Sequence, residues 1–148
     1  MSATALKTKQ NDPSAALKRD ILAKIGDVSE FEIARDEILL AIYQRPATTS
    51  GGIVLPNQNL KEDIYQGKVG LVLRIGEHCQ FERVDPYTNK KTGIPISIHD
   101  WVVVRPSDTW ALDINMRSDA LSSKDFVACR LVRDENIRAK ISHPGCVW

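Results

Sequence analysis

Three short runs of the sequence contain side chains capable of acid–base, metal or thiol chemistry: Glu77-His78-Cys79, His99-Asp100 and Cys129. Neighbouring residues of a strand point to opposite faces, so His78 and Cys79 would not converge on one ion or substrate. The zinc spacings Cys-x-x-Cys and His-Glu-x-x-His are missing. His99-Asp100 has no nucleophile in a recognisable turn and is typical of a turn before a strand. We therefore predict no catalytic residues, no metal site, no cofactor and no enzyme activity.

A different chemistry, apolar binding, is indicated by Ile53-Val54-Leu55, which follows Gly51-Gly52 within a polar run from Gln44 to Gln66. Long connections without their own structure are often functional, and apolar residues at a loop tip are a candidate hook for a groove on a partner. The alternative is a short buried strand entered through a Gly-Gly turn. The pattern alone leaves the two interpretations about equally open.

Composition narrows the class of protein. The 148 residues predict one domain plus an extension, and a formal net charge of +1 gives no electrostatic reason for nucleic-acid binding. No apolar run approaches a membrane span, and Met1 to Gln10 lacks the apolar segment of a secretory signal. Three widely spaced cysteines argue against a disulfide framework. We expect a cytoplasmic protein that contacts neither membrane nor nucleic acid.

The N-terminal region contains a helix signal. Asp12-Pro13 is typical of a helix start, Leu17, Ile21 and Ile25 share one face, and Gly26 provides a stop. A helix of this length is marginal alone. It has to pack either on its own domain or on a neighbouring molecule.

From Phe31 onwards the hydrophobic period is two, which predicts strands and an all-β barrel or sandwich. The run from Asp85 to Gly93 is typical of a hairpin tip. No alternation of strands and helices indicates a parallel nucleotide-binding sheet. The expected strands cover residues 31–33, 37–44, 67–76, 79–84, 93–98, 101–105, 109–114 and 125–133.

Four motifs in order resemble the GroES family of co-chaperonins. Asp36 opens a strand before Gly51-Gly52-Ile53-Val54-Leu55, and the run 67–76 reads as the strand that follows the loop in that family. Ile98 to Val104 is similar to its next strand, with His99 in place of a glycine, and Phe126 to Ile137 is similar to its closing strand and final turn. The resemblance extends over about Phe31 to Ile141.

The resemblance implies a fold, a partner and an activity. The fold would be a GroES-like, partly open β-barrel over 31–141 with a long mobile loop, preceded by an arm and amphipathic helix over 1–30 and followed by a tail over 142–148. The protein would form a homo-oligomeric ring that caps a GroEL-like, ATP-dependent chaperonin and assists protein folding. The residues that bind the chaperonin would be Gly51, Gly52, Ile53, Val54 and Leu55. The seam between subunits would involve Phe31, Ile33, Ile137 and Ile141.

The chain also departs from the family pattern. The extensions at both ends and the polar connection Asn115 to Lys124 suit a divergent, phage-encoded relative working in the host cytoplasm. They equally suit a second hypothesis, a virion structural protein that reuses the barrel for capsid decoration or assembly and binds capsid proteins. Fold alone does not decide between them.

Overall fold

A computed structural model describes residues 13–43, 67–117 and 125–146 of the chain. Within them the protein is mostly β, with a six-stranded antiparallel sheet, a two-stranded sheet and one α-helix. The helix is α1 (Pro13–Ile25). The strands are β1 (Glu37–Ile42), β2 (Val69–Ile75), β3 (Glu82–Val84), β4 (Lys91–Gly93), β5 (Trp101–Val104), β6 (Thr109–Ile114), β7 (Val127–Arg133) and β8 (Ile137–Ile141).

The large sheet has the strand order β6-β7-β1-β2-β5-β8 and is apolar on both faces. In β1, Leu39 and Ala41 belong to one buried cluster, whereas Ile38 and Leu40 belong to another. The alternation follows from the two-residue period of a strand. The central strands therefore need cover on both sides, which explains why β1 is almost entirely buried.

The connection between β5 and β6 requires the sheet to curve. These strands are four positions apart in the sheet, about 19 Å if it were flat. Residues 105–108 reach at most about 17 Å from Val104 to Thr109 when extended, and they contain a 3-10 turn, Pro106–Asp108. Nη2 of Arg138, in β8, lies 3.4 Å from Oδ2 of Asp108, the residue just before β6. The end strands β6 and β8 thus approach at this point, but among the described residues the sheet does not close into a barrel.

Helix α1 packs on its own sheet. Ile25 is fully buried in the first cluster, with Leu17, Ile21 and Leu22 packed against it. The helix ends at Ile25, and Gly26 follows with a φ of +86° while donating its N–H to the carbonyl of Leu22. The N–H of Met116 donates to the carbonyl of Ile25 at 2.7 Å. The helix expected from the sequence is therefore confirmed and is an integral part of this domain.

Two expected strands were wrong. Residues 31–33 form no strand; Phe31 donates its N–H to Val28 in a turn and accepts a hydrogen bond from the Arg74 side chain at its carbonyl. The expected strand 93–98 is replaced by β4, which ends at Gly93 with a φ of +102°. Pro95 supplies no N–H for a ladder, so the chain beyond Gly93 cannot continue as a regular strand. The hairpin predicted around 85–93 is confirmed as β3–β4.

Candidate functional site

The proposed hook, Gly51, Gly52, Ile53, Val54 and Leu55, lies outside the described residues. The structure does describe the two strands from which this part of the chain departs and to which it returns. β1 and β2 are antiparallel neighbours, and the N–H of Tyr43 donates to the carbonyl of Val69 at 2.9 Å. The chain therefore leaves and re-enters the sheet at adjacent positions.

An aromatic pair lies at this point of departure. The Tyr43 and Trp101 rings meet edge to face, with centroids 6.1 Å apart and an angle of 81° between their planes. Trp101 is only 1% exposed, and its register partners are Leu71 on one side and Ile141 on the other. Its Nε1 makes no hydrogen bond to a described residue. The pair anchors Tyr43, which directly follows β1 and is the last described residue before position 44.

The sequence pattern did not reveal this pair, because it placed Trp101 in a strand without showing which strand would lie beside it. The available signal was that Tyr43 ends one alternating apolar strand and Trp101 begins another. An edge-to-face contact of this kind adds about 0.5–1.5 kcal/mol beyond the area that it buries. Which strands become neighbours is not encoded in either segment, so the contact followed only from the sheet order.

At the opposite end of β1, the structure brings together two of the motifs that carry the family resemblance. The Asp36 carboxylate accepts hydrogen bonds from Nη2 and Nε of Arg133 at 3.1 and 3.2 Å. The Asp36 carbonyl accepts from the N–H of Asp134, in the turn before β8, at 2.9 Å. Hydrogen bonding to Asp36 raises the pKa of Arg133. Asp36 thus joins the start of β1 to the turn that begins the final strand.

The four predicted seam residues are all half-buried inside this domain. Phe31, Ile33 and Ile141 pack against the first cluster, and Ile137 packs against the second. Their side chains therefore contribute to the domain's own core. β8 has one backbone edge that no described strand pairs with, because its only described neighbour is β5.

The two thiols considered for chemistry are each hydrogen-bonded to a backbone carbonyl. Cys79 donates its thiol to the Glu37 carbonyl, and burial followed by the nearby Asp134 raises its pKa to about 11. Cys129 is buried and donates to the Val127 carbonyl, and burial raises its pKa to about 12. Both thiols are therefore protonated at neutral pH and are weak nucleophiles.

The histidines of the same motifs take part in local turn structure. His78 lies 3.7 Å from Glu77, and both side chains are exposed. His99 has a φ of +73°, and its backbone N–H donates to the Val72 carbonyl. The Asp100 carboxylate accepts from the N–H of Ser97 at 2.8 Å and pairs with Lys140 at 3.5 Å. His99-Asp100 is therefore a turn that leads into β5, as expected from the sequence.

Within the described part of the chain, no group of three or more histidine, cysteine, aspartate or glutamate residues is arranged to hold a metal ion. None of the described helices is both long enough and apolar enough to cross a bilayer. No model of a known protein family matches the sequence, and a search of curated proteins finds no significant match.

Proposed function

We propose that the protein is a co-chaperonin-like lid, related to the GroES family, that caps an ATP-dependent chaperonin ring through Gly51-Gly52-Ile53-Val54-Leu55. It works as a homo-oligomer in the cytoplasm, or in the host cytoplasm if a phage encodes it. It assists the folding of other proteins and has no active site of its own.

The observation that carries the proposal is the position of the glycine and aliphatic motif between two paired strands. Gly51 to Leu55 fall within residues 44–66, which connect β1 to β2, and the hydrogen bond from Tyr43 to Val69 holds the two ends of that connection together. In the sequence, these aliphatic residues are flanked by polar residues on both sides. An apolar groove on a partner would give them burial that a polar run does not provide.

The order of the remaining motifs supports the same proposal. Asp36 stands directly before β1, His99-Asp100 forms the turn before β5, and Asp134–Asn136 forms the turn before β8. In the GroES family, the motifs that these residues resemble occur in the same order along the chain. The contact between Asp36 and the 134–136 turn gives two of them a shared structural role.

The energetics suit a reversible lid. Burial of three aliphatic side chains contributes roughly 1.5–3 kcal/mol each, whereas fixing a residue of a loop costs about 1–2 kcal/mol in backbone entropy. One copy of the motif would therefore bind weakly. Several copies on one ring bind through avidity, because the later contacts are effectively intramolecular. Weak individual contacts also let the lid dissociate when the chaperonin changes its nucleotide state.

The test is capture of the purified protein by a bacterial chaperonin with ATP, with ADP and without nucleotide. We expect capture that depends on nucleotide. Ile53→Asp should abolish it, because the substitution places a charge in an apolar groove. Asn57→Asp is the matched control, since it adds the same charge to the same polar run without removing an aliphatic side chain, and it should retain capture.

Capture that survives Ile53→Asp would rule out the hook, and capture by neither wild type nor control would rule out the lid. The second outcome would favour the virion structural protein. That alternative predicts that the protein is found in purified virus particles and binds capsid proteins there.

A further inference from the structure

A cleft of about 380 Å³ lies between the β3–β4 hairpin and the turn before β8. Its volume falls in the range of sites for small organic ligands. The apolar lining consists of Phe81, Ile94, Ile96 and Ile137. Ile96 belongs to the second buried cluster and the half-buried Phe81 and Ile137 pack against it, whereas Ile94 is 48% exposed.

Among the described residues, one cation lines this cleft. Arg83 lines the cleft and lies two residues after Phe81, so the two side chains share one face of the extended chain. Thr92, its register partner on β4, donates its hydroxyl to the Arg83 carbonyl. Among the described residues the Arg83 guanidinium forms no ion pair.

Two carboxylates also line the cleft, and neither forms an ion pair with Arg83. Asp134 accepts a hydrogen bond from the backbone N–H of Gln80 at 2.7 Å. Glu135 pairs with Arg133 at 3.2 Å. The cleft therefore combines an apolar floor with a guanidinium whose planar donors match a carboxylate.

We propose that this cleft binds an organic anion with an apolar body, of the class of medium-chain carboxylates. The aliphatic part lies on Ile94, Ile96 and Phe81, and the carboxylate accepts hydrogen bonds from Arg83. No covalent step is involved. The proposal is independent of the lid function, because it uses neither residues 51–55 nor the open edge of β8.

Decanoate below its micelle concentration is the probe, added to the full-length protein and followed by calorimetry and by isoleucine methyl NMR spectra. We expect saturable binding of one decanoate per chain, with the largest shifts at Ile94 and Ile96. Decanol has the same chain length without the charge, and it should bind at least about tenfold more weakly.

Arg83→Gln should weaken decanoate binding about tenfold or more, because it removes a charge-assisted hydrogen bond. Lys91→Gln is the matched control: it removes the same charge from the same hairpin, but Lys91 is the register partner of Val84 and does not line the cleft. It should change the affinity by less than about twofold. Ile94→Ser should weaken decanoate and decanol alike.

Three results would overturn the proposal. They are the absence of saturable binding, equal losses in Arg83→Gln and Lys91→Gln, and methyl shifts that centre away from Ile94 and Ile96. The thermal unfolding midpoint of each variant is measured beside the titrations. If Arg83→Gln lowers this midpoint markedly, Arg83→Lys takes its place. Lysine keeps the charge but loses the planar fork, so we expect it to recover only part of the affinity.

Discussion

At the scale of single residues, Cys129 shows how burial determines chemistry. Its neighbours in β7 alternate between the two faces of the sheet, and Cys129 belongs to the first cluster with Leu39 and Val127. Burial raises the pKa of its thiol to about 12, from an ordinary value of 9.0. Cys129 is thus a small apolar core residue of β7.

The raised pKa of Cys129 predicts a specific loss of stability in alkali. Because the folded-state pKa lies above the unfolded value, the contribution is fully present below pH 9 and is lost as the pH rises towards 12. Above pH 9 the free energy of unfolding should fall by about 1 kcal/mol per pH unit from this group. Urea unfolding of wild type and Cys129→Ala at pH 8 and pH 10 measures it.

Cys129→Ala leaves a small cavity and should lower stability at both pH values. The effect of thiol ionisation is therefore the difference between wild type and Cys129→Ala in how the free energy of unfolding changes with pH. That free energy should change less with pH in Cys129→Ala. Equal pH dependences in the two proteins would show that the Cys129 thiol ionises in the folded protein as it does in the unfolded chain.

At the scale of elements, periodicity predicted most of the strands and failed where tertiary contacts or backbone chemistry decide. β1, β2, β5, β6 and β7 fall within the expected runs, because their apolar residues favour strands. Residues 31–33 alternate in the same way, yet they pack as an irregular segment held by Arg74. A period of two shows that two faces differ, but it does not show that a neighbouring strand exists.

For the helix, the sequence predicted the bounds of the element but not what it packs against. Its bounds follow from Pro13, the i, i+4 apolar spacing and Gly26, but the sequence left open whether it packs on its own domain or on another molecule. The answer depends on the close approach of Met116 to Ile25 and on Gly26, where an added Cβ would lie 2.9 Å from the Arg117 side chain. Neither contact is visible in the sequence pattern of the helix itself.

Because α1 belongs to the core, Ile25→Ala should lower the free energy of unfolding by about 2–4 kcal/mol. Lys24→Ala, at the exposed neighbouring position of the same helix, is the control and should change stability by no more than about 0.5 kcal/mol. Chemical denaturation of both variants measures the difference. A small effect of Ile25→Ala would mean that the helix is a dispensable arm and not part of the folded unit.

At the scale of the whole molecule, we propose that copies associate through the open edge of β8. Val104 donates its N–H to Lys68, towards β2, so Val103 faces β8 and pairs with Ala139. Alternation along β8 then turns the N–H of Lys140 away from β5, towards the edge that no described strand covers. Such an edge offers donors and acceptors to another chain.

We expect sedimentation equilibrium to give a mass several times the 16.5 kDa of one chain. Lys140→Pro should reduce that mass, because proline removes the outward N–H donor and leaves the backbone hydrogen bonds to β5 in place; the exposed Lys140–Asp100 ion pair that it also removes contributes little. Ala139→Pro is the contrasting variant: it removes an inward donor and should destabilise the fold itself. A monomer at all protein concentrations, or an unchanged mass for Lys140→Pro, would contradict association through β8.

The binding residues Gly51 to Leu55 remain a prediction from the sequence, whereas the arrangement at the base of their connection came from the structure. Gly51 to Leu55 stand out in the sequence because aliphatic residues interrupt a polar run, whereas the Tyr43–Trp101 pair at the base of that run required the sheet order. The cleft beside Arg83 likewise depends on where the hairpin packs, and no motif marks it.

The most direct test of the lid is electron microscopy of a bacterial chaperonin mixed with the protein and ATP. The account predicts class averages with added density across the end of the chaperonin cylinder, present with wild type and Asn57→Asp and missing with Ile53→Asp. Bare chaperonin ends with wild-type protein, or density bound only along the side of the cylinder, would contradict it.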